Sequence, residues 1–136
     1  MNLSTDNKKK YDDIYALINN KNFVEAEKEL ILILKSKSKD VRFNYLLGIL
    51  YSLTNKFEKA EIHFKKVISI NSNDIRALYN LGVILKNNGK IDEAYERFNK
   101  AFNIEPKYIE PILGIGKINF VPAAAIFLSL SKISFL

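Results

Sequence analysis

The sequence predicts an all-α chain, a stack of antiparallel helix pairs repeating every 34 residues. Three observations carry that prediction. The segment from Ile75 to Tyr108 slides back by 34 residues onto Val41 to Asp74, laying Leu81 on Leu47, Gly82 on Gly48, Ala94 on Ala60 and Phe98 on Phe64. One more shift sets Phe23, Ala26 and Leu30 in the places of Phe57, Ala60 and Phe64. Each period also holds two apolar stripes of helical spacing, separated by a short polar turn. Self-similarity at a fixed period of this size marks a repeat array.

At 136 residues the chain is long enough for a continuous core if neighbouring units stack. Its 48% hydrophobic and 26% charged residues are those of ordinary globular proteins. With no cysteine, a disulfide framework and cysteine-ligated metal sites are excluded. The start, MNLSTDNKKKYDD, has a basic cluster but no apolar run behind it, so no secretory signal is visible and a cytoplasmic location is the default expectation. A net charge of +6 invites an acidic partner or a nucleic acid. The charge is spread, however, and the single run, Lys8-Lys9-Lys10, reads as a solvated helix start.

Taken in order, residues 1–6 are polar and expected to be disordered. From about Lys8 to Asn20 the apolar spacing is helical, with Tyr11, Ile14, Tyr15, Leu17 and Ile18. Asn19 to Asn22 interrupts it, and Phe23 to about Lys35 resumes helix with Ala26, Leu30, Ile33 and Leu34 on one face. Ser36 to Asp40 connects to the next unit, with Asp40 placed as an N-cap. The second unit repeats the plan with helices near 41–53 and 58–70, and the third with helices near 75–87 and 92–103. In the turn Asn87-Asn88-Gly89-Lys90, Asn or Gly suits a left-handed C-cap. Pro106 ends the third unit.

Two antiparallel helices cannot bury their apolar stripes alone, so each pair stacks on the next. Gly48 and Gly82 are expected where two helices approach too closely for a side chain, and Ala60 and Ala94 are small for the same reason. Phe64 and Phe98 would fill the space between units. A helical glycine costs roughly 0.5–1 kcal/mol against alanine, so its return at the same slot asks for a steric reason.

The pattern Leu81-Gly82, Ala94, Phe98, Pro106 resembles the tetratricopeptide repeat, and Leu47-Gly48, Ala60, Phe64 matches it with Ser72 for the proline. The first unit departs from it, with Asp13-Ile14 for Leu-Gly and Lys10 in an apolar slot; terminal units are often atypical, so its first helix is expected to dock loosely. The resemblance covers about residues 7–119 as units 7–40, 41–74, 75–108 and a partial 109–119. It implies a right-handed α-solenoid whose first helices line a concave groove that binds peptides or helices. Residues 109–119 reproduce a first helix in register, and then the pattern breaks into the hydrophobic tail 120–136, FVPAAAIFLSLSKISFL. That tail reads as a short helix capping the array, as the end of a truncated or frame-shifted longer repeat protein, or, least well, as a membrane anchor. Its uncharged run from Ile118 to Ser131 is shorter than the roughly 20 residues a span needs.

No catalytic constellation appears. His63, the single histidine, is flanked by Ile62 and Phe64 and reads as a surface or boundary residue. Gly114-Ile115-Gly116 lacks the strand context and third glycine of a phosphate loop. Acidic pairs such as Asp92-Glu93 fall in first turns, where they complement the helix dipole. An enzyme is not expected, nor any metal or cofactor.

Function is expected in the groove that the resemblance implies. Lys8, Arg42 and Arg76 share one slot, and Tyr11, Tyr45 and Tyr79 share another one helical turn on. Tyr15, Ile49 and Val83 follow, with Asn80 as an amide donor. Cations beside tyrosines suit a peptide carrying carboxylates and apolar anchors, because Arg pairs bidentately and Tyr supplies area plus a hydroxyl. The plainer alternative is that the tyrosines only pack between first helices. The family's carboxylate clamp for chaperone tails wants Lys and Asn in the Tyr11 and Tyr15 slots and Asn in the Leu46 slot, so that ligand is not expected. Nucleic acid is disfavoured by the interspersed acids. The expected function is thus a non-enzymatic interaction scaffold for an acidic peptide or helix. Two alternatives stand beside it: a homo-oligomer assembled through the apolar C-terminal tail, and the recognition segment of a larger enzyme.

Overall fold

The computed structural model describes residues 3–107, and every element among them is helical. The predicted first helix of a fourth unit and the tail, residues 109–136, lie outside the described residues. The chain divides after Ser72 into two units. The first holds α1 (Leu3–Asn19), α2 (Phe23–Ser36), α3 (Val41–Leu53) and α4 (Phe57–Ile70); the second holds α5 (Ile75–Asn87) and α6 (Ile91–Ile104). The bounds of α2 to α6 fall within about a residue of those the periodicity predicts. The start of α1 does not. It begins at Leu3, inside the span 1–6 expected to lack structure, and Lys37 Nζ donates to Asn7 Oδ1, tying this extra turn to the chain just past α2.

Each pair turns through one residue in the left-handed region, and the three sit 34 apart: Lys21 (φ 61°), Asn55 (φ 59°) and Gly89 (φ 79°). That conformation lets the next N–H reach back over the helix end: Asn22 N donates to Leu17 O, Lys56 N to Tyr51 O and Lys90 N to Leu85 O, each at 2.8 Å. Glycine adopts it freely and asparagine tolerates it, whereas a lysine Cβ is strained by about 1 kcal/mol. Lys21→Gly is therefore expected to stabilise the chain by roughly 0.5 kcal/mol, the relief of strain outweighing the entropy glycine returns to the unfolded chain. An upward shift in thermal midpoint checks this; an unchanged or lower one contradicts it. First helices of the later pairs start on a side-chain cap instead. Asp40 accepts from Arg42 N (3.0 Å) and Phe43 N (3.4 Å), and Asp74 from Ala77 N (3.0 Å).

The steric reason for the glycines is visible inside each pair. A Cβ on Gly48 would lie 2.7 Å from the Phe64 ring, and one on Gly82 would lie 2.7 Å from the Phe98 ring. The phenylalanines thus seat on the glycine of their own partner helix, which corrects the expectation that they fill space between units. Ala60 on α4 and Ala94 on α6 are buried. In the first pair the sizes are inverted: Ile14 stands in the glycine slot and Leu30 in the phenylalanine slot, and both are buried. That inversion closes the core of an otherwise atypical unit, so α1 is anchored by Ile14 and Ile18, 3% and 4% exposed, rather than loosely docked.

Candidate functional site

Within the first unit, the predicted binding residues lie on α1 and α3. Lys8 and Tyr15 are exposed, and Tyr11 is half-buried. Tyr11 and Tyr15, one turn apart, stack with ring centroids 6.3 Å apart and 10° between planes. Tyr45 behaves differently. Its half-buried ring meets Phe64 edge-on at 5.9 Å, so the Gly48–Phe64 seat also fixes Tyr45. Leu30, in the Phe64 slot, offers Tyr11 no such ring, and Tyr11 turns to Tyr15. Ile49 is half-buried one turn beyond Tyr45, and the Ser52 hydroxyl donates to Gly48 O at 2.8 Å.

The second unit repeats the α3 arrangement on α5. Tyr79 lies against Phe98 at 5.6 Å, with Phe98 seated on Gly82. Burial pushes the Tyr79 hydroxyl above its usual titration range. Val83 is half-buried one turn on. Asn80, expected as an amide donor toward a ligand, gives its Nδ2–H to Arg76 O at 2.8 Å.

Both arginines sit beside their own N-cap carboxylate. Arg42 Nη2 is 3.1 Å from Asp40 Oδ2, and its guanidinium lies 5.7 Å from the Phe43 ring centre. Arg76 Nε is 3.9 Å from Asp74 Oδ1. The same aspartate therefore starts the helix and orients the cation, a link the charge ladder alone does not reveal. Exposed pairs of this kind are worth about 1 kcal/mol or less, so an incoming carboxylate can share or take the guanidinium. Within each unit the arginine and the tyrosine one turn on are held by separate, repeated contacts: cap for the first, Gly–Phe seat for the second.

A polar network on the other side of α3 escaped the sequence reading. Asn44 is fully buried and gives Nδ2–H to Ser38 O (2.9 Å) and Asp40 O (2.8 Å). Those two bonds turn its Oδ1 to His63 Nδ1, 3.1 Å away, which must then donate. Tyr51 gives its hydroxyl proton to Glu27 Oε1 at 3.0 Å, Lys56 Nζ lies 3.7 Å from Glu27 Oε2, and the Tyr51 and His63 rings are 5.7 Å apart. Burial, with the Glu27 carboxylate beside it, pushes Tyr51 up to about 12. Burial and then Lys66 push His63 below its usual value, which favours the neutral ring beside Asn44. The one signal in the sequence was Asn44 itself, polar in a slot where the third unit has Leu78.

The His63 shift has a sign that can be checked. A folded-state pKa below the unfolded value means that the unfolded chain takes the proton first as pH falls. Its contribution to stability is therefore whole above the unfolded value of about 6.5 and declines as pH drops below it. Urea unfolding of the parent and His63→Gln at neutral and mildly acidic pH should show the parent losing more stability on acidification. Equal losses contradict this reading.

Among the described residues no group of three or more His, Asp or Glu is placed to hold a metal, and no helix is long and apolar enough to cross a membrane. Helix pairs of fixed period, closed on a repeated Gly–Phe seat and bearing a repeated Arg–Tyr face, define a helical-repeat protein. Models described as tetratricopeptide repeat match residues 41–74 and 63–96. Residues 41–96 of this chain are thus tetratricopeptide repeats. Similar folds include MamA (TM-score 0.70, 19% identity, covering 76% of this chain and 60% of MamA). The Yersinia enterocolitica type III secretion chaperone SycD, in complex with a peptide of the translocator YopD, aligns with TM-score 0.73 and 16% identity over 90% of this chain and 92% of SycD. The second repeat domain of Spaghetti (RPAP3), bound to the HSP90 peptide SRMEEVD, aligns with TM-score 0.67 and 16% identity over 71% of this chain and 90% of that domain. No curated protein matches the sequence. The chain spans 60% of the length of MamA.

Proposed function

We propose that this chain is a non-enzymatic, cytoplasmic interaction scaffold that holds an acidic peptide or helix against its first helices. The observation that carries this is the repeated Arg–Tyr slot. Arg42 with Tyr45, and Arg76 with Tyr79, recur with the same cap and the same aromatic seat in separate units. A stability role would be met by the seat alone, and it gives no reason for an exposed arginine one turn before each tyrosine. Lys8 with Tyr11 and Tyr15 adds a variant of the slot on α1, and Ile49 and Val83 supply apolar contacts beyond the tyrosines. Carboxylates of the partner would displace or share the Asp40 and Asp74 pairs, while its apolar side chains cover the tyrosine faces. The overall charge of +6 favours encounter with an acidic partner. The peptide complexes of SycD and RPAP3 lend support to a peptide ligand on this fold.

An array of peptides graded in net charge and apolar content tests the proposal. Capture should rise with acidic residues, require apolar residues among them and weaken with salt. Capture indifferent to charge, or strongest for basic peptides, overturns it.

A further inference from the structure

We propose that the outward face of α2 is a self-association surface on which a second copy of this chain docks, α2 against α2 and antiparallel. The starting observation is a break in the repeat. The chain's own register aligns Val24 with Glu58 and Asp92, Ile31 with Lys65 and Asn99, and Leu32 with Lys66 and Lys100. At these slots α4 and α6 carry only charged or amide side chains, as a solvated helix face should. On α2 all three are apolar and exposed: Val24 by 84%, Ile31 by 44% and Leu32 by 60%. Ile31 and Leu32 lie seven and eight residues after Val24, two helical turns on, so the three share one stripe on the side opposite the buried Ala26 and Leu30. The buried residues of α2 are Ala26 and Leu30, so the three exposed side chains stand outside its core. On the same face α4 exposes a single apolar side chain, Ile62, in the slot of Lys28, whereas α2 exposes three, and an exposed apolar stripe of that kind marks an interaction surface.

Charge along α2 identifies the occupant. Glu25 stands in the first turn and Glu29 one turn on, while Lys35 occupies the last turn. A uniformly acidic helix laid on the stripe would face Glu25, and a uniformly basic one would face Lys35. A helix with an acidic start and a basic end, running the other way, satisfies both ends at once, and a second α2 is such a helix. Antiparallel docking sets Glu25 of each copy beside Lys35 of the other and brings Val24, Ile31 and Leu32 together under the stems of Lys28 and Lys35. This is an isologous two-fold contact, closed at two copies. The surface is separate from the Arg–Tyr face of α1 and α3 and does not depend on the peptide-binding proposal.

Sedimentation of the full chain from low micromolar to near-millimolar concentration tests this, alongside Val24→Glu/Ile31→Lys/Leu32→Lys. That variant copies the residues α4 carries in the same slots and should keep the helical circular dichroism of the parent. The parent is expected in monomer–dimer equilibrium and the triple variant as a monomer throughout. Glu25→Lys or Lys35→Glu alone should weaken association by roughly tenfold, since the symmetric contact counts each change twice, and combining them should restore it. A parent monomeric at every concentration, a triple variant that dimerises like the parent, or a charge-swapped pair no tighter than the single changes each overturns the proposal.

Discussion

Gly48→Ile is expected to destabilise the chain by about 2–3 kcal/mol, near the upper end of overpacking costs. The first side-chain atom alone would lie 2.7 Å from Phe64, a ring that is itself fully buried and has Tyr45 against its edge. The ring therefore cannot step aside without moving Tyr45. Helix propensity pulls the other way, since any ordinary residue outscores glycine in a helix by a few tenths of a kcal/mol or more. The steric term wins because it is several times larger. The chain carries its own remedy in the first pair, where Ile14 and Leu30 occupy these two slots and both are buried, so Gly48→Ile/Phe64→Leu should recover most of the loss. Denaturant unfolding of parent, single and double variants measures all three. A single variant as stable as the parent contradicts the seat, and so does a double variant no better than the single.

The second large effect is on binding. Arg42→Glu/Arg76→Glu is expected to weaken capture of an acidic peptide selected from the array by at least about a hundredfold, from two charge-assisted contacts worth about 1.5–3 kcal/mol each. Stability should change by less than about 1 kcal/mol. The arginines of the lost pairs with Asp40 and Asp74 are about half exposed, and a glutamate in the first turn is favoured by the helix dipole. Binding lost with folding intact separates a recognition role from a structural one. A double variant that binds within a few-fold of the parent removes the arginines from the account.

Most of the fold could be read from the sequence because its evidence is periodic. Gly48, Ala60 and Phe64 recurring as Gly82, Ala94 and Phe98 locate both helices of a pair and the turn between them. What periodicity cannot convey is who touches whom. It placed the phenylalanines between units, whereas each seats on its own glycine. It aligned Tyr11 with Tyr45 and Tyr79, yet Tyr11 lacks their aromatic seat, because Leu30 fills the slot that Phe64 and Phe98 fill in the later pairs. It flagged Asp40 as a cap without seeing that the same carboxylate holds Arg42. Lys21 in a left-handed turn and the extra turn of α1 from Leu3 were illegible for a related reason. Each goes against local preference and is imposed by the surrounding helix pair.

The most direct test of the central claim is amide and tyrosine-ring chemical-shift mapping of the full chain during titration with the selected acidic peptide. The account predicts shifts on α1, α3 and α5, centred on Tyr11, Tyr45 and Tyr79 and on the amides around Arg42 and Arg76. Shifts confined to the outward faces of α2, α4 or α6, with those tyrosines unmoved, would contradict it.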